Sequence, residues 1–166
     1  MEKLAAAFAA TLGKYVSKEI VVFLISMVPI LELRGGLIVS SLLQVPITTA
    51  IPLCIIGNII PIPFILLFIR QIFKWMKKIR LFRGLIEKLE KRAMSKSDTI
   101  KQYEFWGLVL FVGIPLPGTG AWTGSLIAAL LEVDFKKAVL AELLGIIIAT
   151  IIMSIVSYGL LGTLLH

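Results

Sequence analysis

Pro115-Leu-Pro-Gly-Thr-Gly-Ala-Trp-Thr-Gly124 decides how the chain is read. It is a Pro/Gly-rich turn with two threonines and a tryptophan, set between apolar runs at 106–114 and 125–131. Neither run reaches the about 20 residues that a helix needs to cross a bilayer. Such a break inside apolar sequence is either a kink or a functional site.

The surroundings are those of a membrane protein. Of the 166 residues 58% are hydrophobic, and the mean hydropathy is +0.99. A soluble bundle would give its helices a polar face, and 55–69 and 143–165 have almost none. The lone cysteine, Cys54, excludes an internal disulfide framework and a Cys-cluster metal site. The charge is uneven. Residues 70–104 hold eleven Lys/Arg against four acids, a net +7 that equals the excess of the whole chain. Such a segment beside membrane spans is read as cytoplasmic by the positive-inside rule, facing anionic headgroups rather than nucleic acid.

The expected order is a single membrane domain, 1–166. Residues 1–19 read as an interfacial amphipathic helix, with Leu4, Phe8, Leu12, Tyr15 and Val16 at helical spacing. Residues 20–31 are apolar but short, and Pro29-Ile-Leu-Glu-Leu-Arg-Gly-Gly36 interrupts them. A long span at 47–69 follows, with Pro52, Pro61 and Pro63 inside it. The basic linker, 70–104, has an amphipathic helical pattern in its first half and a break at Ser95-Lys-Ser-Asp98. The interrupted segment 106–131 comes next, then a final span at 138–165 carrying one charge, Glu142.

A shift of 88 residues aligns 21–68 with 109–156 without a gap. Pro29/Pro117, Gly36/Gly124 and Gly57/Gly145 are identical pairs, as are Val21/Val109, Phe23/Phe111 and Ala50/Ala138. The repeat gives halves at 20–69 and 105–165. Matching interruptions in two halves point to a transporter binding site. If each interrupted segment is a re-entrant hairpin, each half crosses the membrane once. A linker held on one side then makes the repeat inverted, with the hairpins entering from opposite faces and both termini outside. The rival reading makes each interrupted segment a single kinked span.

Several residues in this frame can carry chemistry. Glu32 and Arg34 lie at the first break, and a charge at membrane depth costs at least about 2.5–3.5 kcal/mol, which makes it a functional hypothesis. Glu32 is a candidate proton carrier, and Arg34 suits a carboxylate or phosphate. Their alternative is a neutralised structural pair. At the second break Thr119 and Thr123 can cap a helix starting near Gly120. Gly118, Gly120 and Gly124 allow close approach of backbone to a ligand. Free N–H groups at a half-helix start suit an anion, and Trp122 can stack on a ligand or sit at an interface. The substrate-binding set is therefore Glu32, Arg34, Gly36, Gly118, Thr119, Gly120, Trp122 and Thr123. Asn58 reads as interhelical glue. Glu142 reads as a partner of Lys136 or Lys137, or as a second proton site. The only histidine is His166, and no nucleophile elbow, metal cluster or nucleotide loop is present in the sequence, so neither an enzyme nor a cofactor is expected.

Met27-Val-Pro-Ile-Leu-Glu-Leu-Arg-Gly-Gly36, Gly57-Asn-Ile-Ile-Pro-Ile-Pro63 and Ile114-Pro-Leu-Pro-Gly-Thr-Gly-Ala-Trp-Thr-Gly124 resemble the small multidrug export protein family of prokaryotic membrane proteins. The match runs in order over about 20–160. It implies a place in the prokaryotic cytoplasmic membrane and export of a small molecule. The family also resembles the DedA membrane proteins, which implies two facing hairpins, proton coupling and a polyprenyl-phosphate substrate. The chain departs from that pattern, since 113–124 has no arginine and Arg34 is the only one at either break.

The resulting expectation is an all-α membrane transporter, proton-coupled and homo-oligomeric, that moves a small molecule or a lipid phosphate between two hairpins. The alternative is a non-transporting membrane scaffold that works through the basic linker.

Overall fold

The computed structural model describes residues 17–95 and 98–160, and the expected interfacial helix at 1–19 lies almost wholly outside them. The described residues are helical, with no strand. Helix α1 (Lys18–Met27) starts under Ser17, whose Oγ accepts from the Ile20 amide. It stops because Val28, preceding Pro29, is driven into the extended region. After a four-residue turn, α2 (Glu32–Leu42) begins. Its first six residues are all buried, so it runs through the centre of the molecule.

Helix α3 (Ile47–Ile59) and helix α4 (Pro61–Lys78) follow one another with Ile60 still in right-handed helical geometry. Pro61 sits at the first position of α4, where a missing N–H costs least. Together they form one 32-residue helical stretch, Ile47–Lys78, long and apolar enough to cross a membrane. The helix expected to end at 69 therefore runs nine residues further, into the basic segment. Helix α5 (Arg80–Met94) forms the rest of the linker, and Ser95 turns where the break was expected.

Helix α6 (Asp98–Gly113) starts earlier than the expected boundary at 105. A loop at 114–120 leads to α7 (Ala121–Leu130), whose inner face of Ala121, Gly124, Ser125, Ile127, Ala128 and Ala129 is buried. Helix α8 (Phe135–Ser154) begins under Asp134, which accepts from the Lys137 amide at 3.1 Å. It passes into a π-helical turn, Ile155–Leu160, and Phe135–Gly159 is the second stretch able to cross a membrane.

The 88-residue correspondence extends to the backbone. Helices α2 and α7 start at Glu32 and Ala121, and α3 and α8 start at Ile47 and Phe135, a shift of 88 or 89 residues. Six described residues have positive φ, and they form three pairs at that spacing: Ile30 and Gly118 (77° and 76°), Glu32 and Gly120 (50° and 129°), Gln44 and Glu132 (56° and 59°). Packing repeats too. In the first half α1 lies on α2 and α3, and in the second α6 lies on α7 and α8. Gly57 and Gly145 permit close crossings against backbone. A methyl group there would stand 2.7 Å from the Phe23 carbonyl and 2.9 Å from the Val109 carbonyl, respectively. The halves interlock, because α2 also packs on α8 and α7 on α4.

A bond ties the start of α1 to the end of α2. Lys18 Nζ at the start of α1 donates to the Leu43 carbonyl just past α2, at 3.0 Å.

Candidate functional site

Both breaks are shorter than the sequence pattern indicates. The first covers 28–31, so Glu32, Arg34 and Gly36 stand on the first turns of α2 rather than in a loop. The second covers 114–120, and Trp122, Thr123 and Gly124 belong to α7. The reason is the same in both: a buried segment satisfies its backbone best by resuming a helix as soon as the turn allows.

From the first turn of α2, Glu32 and Arg34 reach across to the second break. Glu32 is 4% exposed. Its Oε2 accepts from the Ala121 amide at 3.1 Å and its Oε1 from the Trp122 amide at 2.9 Å. It therefore caps α7 from a position 89 residues upstream, where the helix's positive end favours a carboxylate. Gly120 makes this possible, since a methyl group there would strike both carboxylate oxygens. Its φ of 129° also suits glycine alone.

Arg34 does the converse at the end of α6. Nη2 donates to the carbonyls of Val112 and Ile114, both at 3.2 Å, and to Thr119 Oγ1 at 3.0 Å. Nη1 donates to the Leu116 carbonyl at 3.0 Å. A cation thus holds carbonyls left open where α6 ends. Thr119 does not cap α7, as the sequence pattern suggests; its hydroxyl lies 2.9 Å from the carbonyls of both Ile114 and Leu116 and accepts from Arg34. Trp122, 88 residues after Arg34, makes the reciprocal contact. Its Nε1 donates to the Met27 carbonyl at the end of α1, at 3.1 Å.

Between the breaks lies a cavity of about 350 Å³. Glu32, Arg34, Gly118, Thr119 and Thr123 line it, so five of the eight expected binding residues meet there. Its other walls are Ile30, Pro115, Leu116, Pro117 and, from α8, Met153. Met153 had no sequence signal, being one apolar residue in an apolar span. Trp122, Gly120 and Gly36 do not line the cavity. Trp122 braces α1, Gly120 makes room for Glu32, and Gly36 lets α2 pack on Ser26 and Cys54.

Glu142 and Asn58 lie deeper. Glu142 is fully buried, its Oε2 accepting from Ser125 Oγ at 2.8 Å, and its Oε1 has no partner. It is not paired with Lys136 or Lys137, both of which are exposed on the first turn of α8. Ser125, at the fifth position of α7, was not singled out in the sequence, although Gly124 beside it marks that face. Asn58 is 3% exposed and its Oδ1 also lacks a partner, so the expected interhelical bond from that atom is absent. Among the described residues no three His, Cys, Asp or Glu side chains gather as a metal site.

No curated protein and no solved structure shows a significant match to the chain. A family model described as "Putative small multi-drug export protein" matches residues 32–152, which begins at Glu32 and takes in both charged residues, the second break and most of α8. With two stretches able to cross a membrane and that match over most of its length, the chain is a membrane protein and belongs to this export family.

Proposed function

We propose that the protein is a proton-coupled transporter whose substrate occupies the cavity between two re-entrant hairpins of opposite orientation. The observation that carries this reading is the cavity itself. Its polar lining comes from both breaks, its remaining wall is apolar, and its size is at the small end for ligand sites. Charged groups at such depth mark substrate and proton routes in membrane proteins.

The opposed arrangement has independent support. The first hairpin closes between Lys18 and Leu43, near the start of α3. The second comes back at Glu132, which pairs with Arg70. Residues 47 and 70 belong to one helical stretch, and 23 residues of helix span about 35 Å, slightly more than a hydrocarbon core. The open ends of the hairpins are thus a membrane thickness apart. The basic segment beyond Arg70 gives the cytoplasmic side. Glu32 is the proton carrier in this reading, and Glu142 on α8, bonded to Ser125 one turn further along α7, is a second protonatable group.

Leu116→Trp tests the route. Leu116 is 55% exposed at the cavity wall, so a larger side chain fills the cavity without overpacking the interior. Fluxes of benzenesulfonate and tetraethylammonium, an anionic and a cationic probe, are followed into proteoliposomes. The variant is expected to abolish flux of whichever probe the wild type moves, with unchanged thermal unfolding in detergent. Equal flux in variant and wild type, or no flux of either probe through the wild type, overturns the reading.

A further inference from the structure

Three features of the cavity are unusual together. Arg34 stays charged at any accessible pH, yet it is only 6% exposed. Its hydrogen-bond partners are neutral: three carbonyls and a hydroxyl. The compensating charge, Glu32, binds backbone amides of α7 instead of the guanidinium. Both groups nevertheless line the same cavity. Glu32 thus occupies, with a carboxylate of the chain itself, the place where a ligand oxyanion would find two aligned N–H donors beside a guanidinium.

We infer that the substrate is an apolar organic monoanion, and that it enters by displacing the Glu32 carboxylate from the start of α7 as that carboxylate takes up a proton. This rests on the cavity being the substrate site and names what it carries. The balance is simple. Before binding, Arg34 is +1 and Glu32 is −1. The ligand oxyanion brings −1, and the Ala121 and Trp122 amides pass from the Glu32 oxygens to the ligand. A carboxylate stripped of its donors at this depth is costly. It therefore binds one proton from water and becomes a neutral acid. Arg34, ligand and acid again sum to zero. On release the acid loses that proton and its oxygens return to the amides. A cation in the same cavity leaves a net charge of +1 with Glu32 ionised and +2 with it protonated, and this selects against cations. The apolar wall of Ile30, Leu116, Pro117 and Met153 fits the rest of the ligand.

The charged groups that face Glu32 are few. Arg34 comes from its own helix, and Glu142 from α8 interacts with it electrostatically. Helix α7 and the described side chains of α6 contribute none, and α1 carries its only charges, Lys18 and Glu19, at its other end. The anion of the substrate can be a free carboxylate, sulfonate or phosphate, or the headgroup phosphate of a lipid.

The test is proton uptake by the full-length protein in weakly buffered phosphatidylcholine nanodiscs. Benzenesulfonate serves as the free anion, since it has no protonated form that could carry protons by itself. Phosphatidylglycerol included in the nanodisc, a phosphodiester that stays a monoanion, serves as the lipid source, and tetraethylammonium as the cation. Wild type is expected to take up about one proton per anion bound, with Kd rising about tenfold per pH unit. Uptake with benzenesulfonate assigns a free anion, and uptake with phosphatidylglycerol alone assigns a headgroup. Glu32→Gln, which mimics the neutral acid, is expected to bind the anion with no uptake and no pH dependence. Anion binding by wild type without proton uptake overturns the exchange but leaves the cavity as the substrate site. Preferential binding of tetraethylammonium overturns the anion assignment. Binding of no probe overturns it as well, and the Leu116→Trp fluxes then decide separately whether the cavity is the route. The wild-type measurement needs no variant, so a misfolded Glu32→Gln does not weaken it.

Discussion

Ile30 is three-quarters exposed, β-branched and held at φ 77°, a conformation costing an ordinary residue about 1–2 kcal/mol. Its counterpart 88 residues later is Gly118, at φ 76°, where the same turn costs little. The first break therefore keeps a strained side chain at the mouth of the cavity where glycine would serve the fold better. Strain retained in this way is a sign of function. Ile30→Gly should raise stability by about 0.5–1 kcal/mol, measured by thermal unfolding in detergent, and should weaken binding of benzenesulfonate. A lower melting temperature would show that the side chain packs rather than lines. Gly120 makes the opposite case. A methyl group there meets the Glu32 carboxylate and must also adopt φ 129°. Gly120→Ala should cost about 2–4 kcal/mol, as the cap is lost and the turn strained. Full stability in that variant would contradict the Glu32 contact. The sequence marked Glu32, Arg34 and Thr119 as functional but could not pair them. Their bonds to residues 112–122 span 78 to 90 positions and exist only once the halves dock.

Interlocked half-helices explain why the glycines differ in what they tolerate. Gly57 and Gly145 sit where α3 crosses α1 and where α8 crosses α6, and an added methyl group meets backbone carbonyls that cannot swing aside. Gly57→Ala and Gly145→Ala should each cost about 1–3 kcal/mol. Gly84 lies on α5 with nothing near its missing side chain. Gly84→Ala should instead gain about 0.5–1 kcal/mol from helix propensity. The three melting temperatures in detergent form one comparison, and a Gly57 variant as stable as wild type would refute the close crossing. These glycines show what was legible. Their repetition at an interval of 88 was visible in the sequence and did mark equivalent points of the fold. What it could not reveal was the kind of equivalence. Gly36 and Gly124 look like ligand-approach glycines because they flank the breaks, yet both lie inside helices and serve packing: Gly36 against Ser26 and Cys54, Gly124 against Val112 and Leu108. Close approach to a neighbouring helix and to a ligand call for the same residue, so composition cannot separate them. Helix ends were similarly hidden. Nothing in apolar sequence at 69 says whether α4 stops or continues, and it continues because its amphipathic end still packs on α5 and α7.

At the scale of the whole molecule, the two halves share their elements and their three positive-φ turns, but their chemistry is divided. The first supplies both charges, and the second supplies the helix ends those charges hold. Equivalent positions have diverged in kind: Arg34 against Trp122, Glu32 against Gly120, Cys54 against Glu142. Each pair keeps its place while only one member carries charge, as expected if a symmetric scaffold holds a single asymmetric site. An inverted arrangement makes a direct prediction about Gln44 and Glu132. Both are exposed, both have φ between 50° and 60°, and each follows the helix that comes after its break. Cys54 is buried and can be replaced by alanine first, which leaves the chain without cysteine. Gln44→Cys and Glu132→Cys are then introduced separately. The second gives up only an exposed ion pair with Arg70, worth about 0–1 kcal/mol. A membrane-impermeant maleimide added to intact cells should label the cysteine at 44 and not that at 132. Inside-out vesicles should give the reverse, because Glu132 pairs with Arg70, where the basic segment that the positive-inside rule assigns to the cytoplasm begins. Kinked spans crossing the whole bilayer would bring 44 and 132 to the same face, opposite the linker, and would also pull Lys18 about a membrane thickness away from Leu43. Labelling of both cysteines from one side would therefore reject the opposed hairpins, and with them the meeting of the two breaks at mid-membrane on which the cavity's role depends.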